Sequence, residues 1–232
     1  QAAHHTPVLS PAAQEPPREA ALDLFTSAAA RGHHEVIAHP GPSLTGLSAE
    51  ALAAAVGTWR ERMAAHPDAA HVHLGVVPAA VARERERASA YATRTQGSNL
   101  LGDLVAAEVR LRRRLVAYDD EAVLLAPFAS QAPYQLMIVP RTPAPRFEEP
   151  GALGAGLLHR ALAALTARFG GAPPLSLWVR TAPRGATHFC WRIDLLPRLS
   201  PPSSLELGTG VHHNPVLPED AAAELRPLAG PA

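Results

Sequence analysis

One stretch, His188 to Glu219, constrains the fold more than any other, because strand and turn signals follow one another in it without a gap. Its opening residues HFCWRIDLLP alternate, with Phe189, Trp191, Ile193 and Leu195 on one side and Cys190, Arg192, Asp194 and Leu196 on the other. Successive side chains of a strand point to opposite faces, so one side lies on a core and the Arg/Asp side turns to solvent or a ligand. Pro197 cannot donate to a ladder and ends regular pairing. Past a Pro/Ser turn, Gly208-Thr209-Gly210 allows the backbone to approach another group closely. Two readings stay open: a strand feeding a binding loop, or a sheet whose outer face carries an ion pair, followed by an ordinary turn.

Taken in order, residues 1–22 are Pro/Ala-rich without a period and read as an arm lying on the surface or on a partner. Gly32 to His39 and Ala70 to Val77 read as short strands. Between them Ser48 caps a helix whose Leu52, Val56, Trp59 and Met63 recur at helical spacing, stopped by His66-Pro67-Asp68. A second helix over Ala79 to Tyr91 carries Arg83, Glu84, Arg85, Glu86 and Arg87, read as a solvated face. Gly97-Ser98-Asn99 breaks the chain, and a helix from Leu101 to Arg114 follows. The second half is richer in strands: Leu115 to Tyr118, Ala122 to Pro127, Tyr134 to Pro140, Leu175 to Thr181 and His188 to Leu196. The two connections among the first three of these strands are too short for helical crossovers, so hairpins are expected. Gly151 to Phe169 reads as an apolar helix, and Pro218-Glu219-Asp220 opens the last one with carboxylates at its positive end. The expected class is α+β, an antiparallel sheet with helices on one face.

Composition excludes several functions. The 21 basic residues are all arginine and are balanced by 21 acidic ones, so there is no basic field for nucleic acid. A chain without lysine has neither a Walker-type phosphate loop nor a Schiff-base mechanism. The single cysteine, Cys190, forbids an intramolecular disulfide and a Cys-rich zinc site, and a reducing cytoplasm is the expected setting. No apolar run reaches membrane-spanning length, so no membrane partner is expected.

Several blocks carry a family resemblance. GHHEVI from Gly32, the run Ala126-Pro127-Phe128-Ala129-Ser130 with Pro133-Tyr134 and Val139-Pro140, then WRIDLLPRL, LELGTG and NPVLPEDAAAELR, stand in one order between about Asp23 and Arg226. Together they resemble the galactose-1-phosphate uridylyltransferase family of the histidine-triad superfamily. The resemblance implies two histidine-triad-like units, antiparallel sheets with helices packed on them, here residues 23–98 and 99–232. It also implies a homodimer, with the N-terminal arm crossing or edging the interface.

The chemistry so implied is hexose-1-phosphate uridylyl transfer between UDP-glucose and galactose 1-phosphate, a nucleotide sugar and a sugar phosphate, through a histidine-linked intermediate. Phosphorolysis, adenylyl transfer and a catalytically inactive nucleotide-binding or assembly homologue are the alternatives. The family presents its nucleophile in a His-x-His-x-Gln run. Here only His71-Val72-His73 has that spacing, and Leu74-Gly75 follows where x-Gln is wanted. Either His71 and His73 are the catalytic pair, or Ala70 to Leu74 is the preceding core strand and the active-site segment is missing after it, with a break expected between Leu74 and Pro78. The expected substrate contacts are a sugar-phosphate loop of Glu206, Gly208, Thr209, Gly210 and Asn214, together with His188 and Arg192. No metal ligands are assigned. The zinc of related enzymes lacks its Cys-x-x-Cys, and at the alternating histidines of a second metal stand Arg192 and Asp194, which can pair across the sheet in the metal's stead.

Overall fold

A computed structural model describes residues 44–65, 79–148, 154–182 and 186–230. The stretches Gly32 to His39 and Ala70 to Val77, the N-terminal arm and the Leu74-Gly75 junction lie outside the described residues.

Among the described residues five strands form one sheet: β1 (Leu115–Tyr118), β2 (Ala122–Leu125), β3 (Leu136–Pro140), β4 (Leu175–Arg180) and β5 (Arg192–Pro197). Their order is β1-β2-β3-β5-β4, and every pairing is antiparallel. The turn between β1 and β2 follows from Asp119, whose carboxylate accepts from the N–H groups of Glu121 (2.9 Å) and Ala122 (2.7 Å). β2 to β3 runs in unbroken register from Ala122↔Pro140 to Leu125↔Met137, and Ile138 in turn faces Ile193 of β5.

Among the described residues the α-helices are α1 (Ala49–Ala65), α2 (Ala79–Arg94), α3 (Leu100–Leu111), α4 (Ala155–Phe169), α5 (Ser204–Thr209) and α6 (Pro218–Leu225). α4 buries Leu157, Leu158, Ala161, Leu162 and Leu165 against Leu124, Leu136, Ile138, Ile193 and Leu195. Its start is set by Gly154, which has φ +63° and no room for a side chain: a Cβ there would lie 2.8 Å from Ile138 Cγ2. α1 reaches the same core through an aromatic chain, Trp59 edge-on to Phe147 (5.5 Å between centroids) and Phe147 edge-on to Trp191 (5.2 Å). The Arg60 guanidinium lies 4.3 Å from the Phe147 centroid. The chain's end is fastened by two arginines, Arg160 donating to the carbonyl of Ala229 (2.7 Å) and Arg226 to that of Leu115 (2.9 Å).

The class is α+β, as expected, but the helices are not confined to one face. α3 covers part of the opposite face, where Val105 packs with Leu115, Val123, Leu125, Met137, Val139 and Cys190. Its apolar stripe of Leu101, Val105 and Val109 needs a partner as much as α4 does. Asn99 fixes where α3 begins: its side-chain oxygen accepts from Gly102 N–H (3.0 Å) and its amide donates to the carbonyls of His188 (3.1 Å) and Phe189 (3.3 Å).

The stretch that opens β5 is not strand from its first residue. Pairing starts at Arg192 rather than His188, because Trp191 N–H donates to Ala144 in a loop (2.9 Å) instead of to a strand. Trp191, Ile193 and Leu195 share the core face and Cys190 the other, yet Phe189 leaves the alternation and lines the second face. Among the described residues, no helix is long and apolar enough to cross a membrane.

Candidate functional site

A cleft of about 600 Å³ runs over the second face of the sheet, between α2, α3 and the β3, β5 and β4 strands. That size suits a small ligand. Its apolar lining includes Leu101, Leu104, Met137 and Trp178, and its far end is closed by Phe128 and Gln135. His188 stands exposed at its near end.

Four charges occupy the floor. Arg192 Nε donates to Asp194 Oδ2 (3.1 Å), and its Nη2 donates to Glu84 Oε2 (3.1 Å), with Nη1 bonded to Glu84 Oε1 as well. Arg180, opposite Arg192 in the β4–β5 register, donates from Nη1 to Glu84 Oε2 (2.8 Å). The Asp194 side chain is 5% exposed and that of Arg192 13%. Burial pushes the Asp194 carboxyl above its ordinary value, against the pull of Arg192 and Arg180. Burial would raise Glu84 too, but the hydrogen bonds and charges of Arg192 and Arg180 outweigh it and hold Glu84 below the usual range. Of the two sequence readings of this strand, the outer-face ion pair is present, and it extends to a helix.

This donor set does not fit the second metal that the family resemblance implies for the strand. A guanidinium stays protonated and has no lone pair to give. Both carboxylates already accept from arginine. Among the described residues no group of three or more His, Cys, Asp and Glu is placed to hold a metal. Cys190 is 3% exposed, and burial pushes its thiol up to about 11, so it is no thiolate nucleophile at neutral pH.

At the far end of the cleft Arg114 ties three elements together. It bonds Glu108 of α3 and Glu219 of α6 (2.5 Å), and its guanidinium lies 5.1 Å from the centroid of Phe128, whose ring is 76% exposed. Behind it Tyr134 O–H donates to Glu224 (2.7 Å) and accepts from Arg168 (2.7 Å), pinning the turn that precedes β3.

The expected sugar-phosphate loop lies beside this end, since Asn214 Nδ2 reaches Ser130 O at 3.5 Å. It is helical over Ser204–Thr209, where the sequence suggests a loop. Ser203 and Glu206 form a capping box, Ser203 Oγ accepting from Glu206 N–H (3.3 Å) and Glu206 Oε2 accepting from Ser203 N–H (2.7 Å). Glu206 also accepts from His213 N–H (3.3 Å), and these bonds, Ser203 first, hold its carboxyl below the ordinary value. Gly208 lies within α5, and Gly210 ends it at φ +69° with its N–H given to Glu206 O (2.9 Å). The Thr209 hydroxyl donates to Leu205 O (2.6 Å). The Gly210 amide and Thr209 hydroxyl, expected to face a phosphate, are thus used inside the loop, and Asn214 Oδ1 accepts from Val216 N–H (3.1 Å).

The structure therefore brings His188 and Arg192 into one cleft, sets Glu206, Gly208, Thr209, Gly210 and Asn214 in a neighbouring capped turn, and leaves His71 and His73 outside the described residues. The sequence reading missed Glu84 and Arg180. A signal for Glu84 existed: it shares a stripe with Ala88 and Ala92, at i, i+4 and i+8, and both alanines are buried.

No family model matches the chain. It is 26% identical over 172 residues to an ADP-glucose phosphorylase of Arabidopsis thaliana, an alignment covering 71% of the chain and 47% of that relative, so the chain spans about half the relative's length. Among solved structures it is similar to an Arabidopsis thaliana ADP-glucose phosphorylase with bound ADP-glucose (TM-score 0.70, 22% identity, 84% of this chain and 72% of that one). It is also similar to a uridylyltransferase (TM-score 0.73, 19% identity, 93% of this chain and 81% of that one). The likeness is one of fold, an α+β arrangement of helices on an antiparallel sheet. Within that class it is the fold of the galactose-1-phosphate uridylyltransferase group, as the sequence blocks implied.

Proposed function

We propose that the chain belongs to a nucleotidyl-transferring enzyme that takes a nucleotide sugar and a phosphate acceptor. The observation that carries this reading is the likeness over 172 residues to an ADP-glucose phosphorylase, joined to the fold of a relative solved with ADP-glucose bound. In the proposed reaction a histidine imidazole attacks the α-phosphorus and the sugar phosphate leaves. The nucleotidyl group then passes from the histidine to a second phosphate oxygen. His71 and His73 are the candidates for that histidine. With a hexose 1-phosphate as acceptor the reaction is uridylyl transfer between UDP-glucose and galactose 1-phosphate. With inorganic phosphate it is phosphorolysis, which the matched relative's activity favours. The 203–214 turn remains the candidate sugar-phosphate contact, with His188 and Arg192 as further candidates.

Incubation with UDP-glucose or ADP-glucose, followed by intact-mass measurement, is expected to show one nucleotidyl adduct that disappears on adding galactose 1-phosphate or inorganic phosphate. The acceptor that discharges it decides between transferase and phosphorylase. Absence of an adduct and of exchange with both nucleotide sugars would favour the inactive homologue.

The proposal extends to two units, 23–98 and 99–232, and to a homodimer in the cytoplasm. What supports a second copy is the 203–214 turn, which exposes Leu205, Leu207 and Val211 together although α5 buries none of its residues. Sedimentation should show a dimer at micromolar concentration, about where specific pairs associate, and a monomer there would remove this part of the reading.

A further inference from the structure

The four-charge cluster joins parts of the chain that lie far apart in sequence: Glu84 on α2 meets Arg180 and Arg192 on adjacent strands 96 and 108 residues away. Each guanidinium is shared. Arg192 bridges Glu84 and Asp194, while Arg180 contacts Glu84 at 2.8 Å and approaches Asp194 at 4.0 Å. Two cations and two anions balance locally. A divalent cation added to them would meet two fixed guanidiniums and carboxylates already engaged, so the cluster repels what a metal site must attract. The remaining attachment of α2 to the sheet side is thin, since Ala88 and Ala92 are small and Glu84 is the long side chain on their stripe. α2 begins at Ala79, directly after the stretch that holds His71 and His73.

We propose that Glu84, Arg180, Arg192 and Asp194 form a metal-free clasp in which the two arginines take the structural place of a metal ion, holding α2 on β4 and β5. The clasp is independent of whether the chain has transferase or phosphorylase activity.

The test uses the full chain, saturated with zinc and then desalted. Arg192→Gln is expected to lower the unfolding midpoint by about 5–10 °C, in line with removing one partner of a largely buried pair, and Arg192→Lys to recover part of that loss. EDTA should shift the midpoint of the unaltered chain no more than it shifts that of Glu84→Gln. Any zinc held by histidines elsewhere should be retained in Glu84→Gln at the same stoichiometry. The triple variant R180H/R192H/D194H, which keeps Glu84 and turns the arginines into lone-pair donors, is expected to take up one further zinc per chain and to melt higher with zinc than with EDTA. The proposal is overturned by zinc that is lost in Glu84→Gln, by EDTA sensitivity that Glu84→Gln abolishes, by an unchanged midpoint in Arg192→Gln, or by a triple variant that gains no zinc.

Discussion

Trp191→Ala is expected to destabilise the fold by about 3–5 kcal/mol, the range for truncating a large aromatic in a core. Trp191 is 2% exposed, meets Phe147 edge-on, and lies with its ring centroid 5.3 Å from the Arg60 guanidinium. Removing it leaves a void where the sheet, the loop of Phe147 and α1 converge, and none of these can close it without moving the others. Denaturant unfolding followed by far-ultraviolet circular dichroism measures the loss. A cost below about 1 kcal/mol would mean that the site collapses freely, contrary to the close packing described. Trp191→Phe keeps most of the volume and should cost markedly less.

Arg114→Ala should cost about 2–4 kcal/mol, a little under the loss seen when a fully buried pair is broken. The side chains of Arg114 and Glu108 are only 12% and 10% exposed, and Glu108 Oε2 is buried with no hydrogen-bond partner, so the carboxylate depends on that one guanidinium. The control is Arg114→Ala with Glu108→Leu, which removes both charges and extends the Val105 stripe of α3. It should regain most of the loss, and a double variant no better than the single one would show that the charge pair is not the cause. Glu219 adds a pH signature. Its own backbone N–H, and then Arg114, hold its carboxyl below the ordinary value. Its share of stability is therefore present above the unfolded carboxylate value and is lost as pH falls through the lower folded one.

Where the sequence pattern was local, it was sufficient. The Asp119-Asp120 turn and the short, continuously apolar runs around it placed β1, β2 and β3, because a hairpin's register depends on residues close in the chain. The start of β5 was misplaced for the opposite reason. Cys190 and Trp191 alternate like strand residues, but Trp191 finds its hydrogen bond in Ala144, which no local pattern can indicate. The turn at 203–209 held a legible sign, Ser203 three residues before Glu206, that the glycines at 208 and 210 obscured. At the cleft, Arg192 and Asp194 stood out because they share a strand face. Their partners did not, since Glu84 lies in an Arg/Glu run that resembles any solvated helix, and Arg180 lies on a different strand.

Asn99 carries a restriction that its exposure alone would not suggest. Its oxygen receives α3's first turn while its nitrogen holds the carbonyls of His188 and Phe189. Aspartate or serine could serve the helix start, but an ionised aspartate would meet two carbonyl oxygens with no proton to offer. Only a carboxamide faces both ways with the right polarity. The backbone that leaves His188 is thus anchored at two successive carbonyls, while the imidazole stays exposed at the cleft.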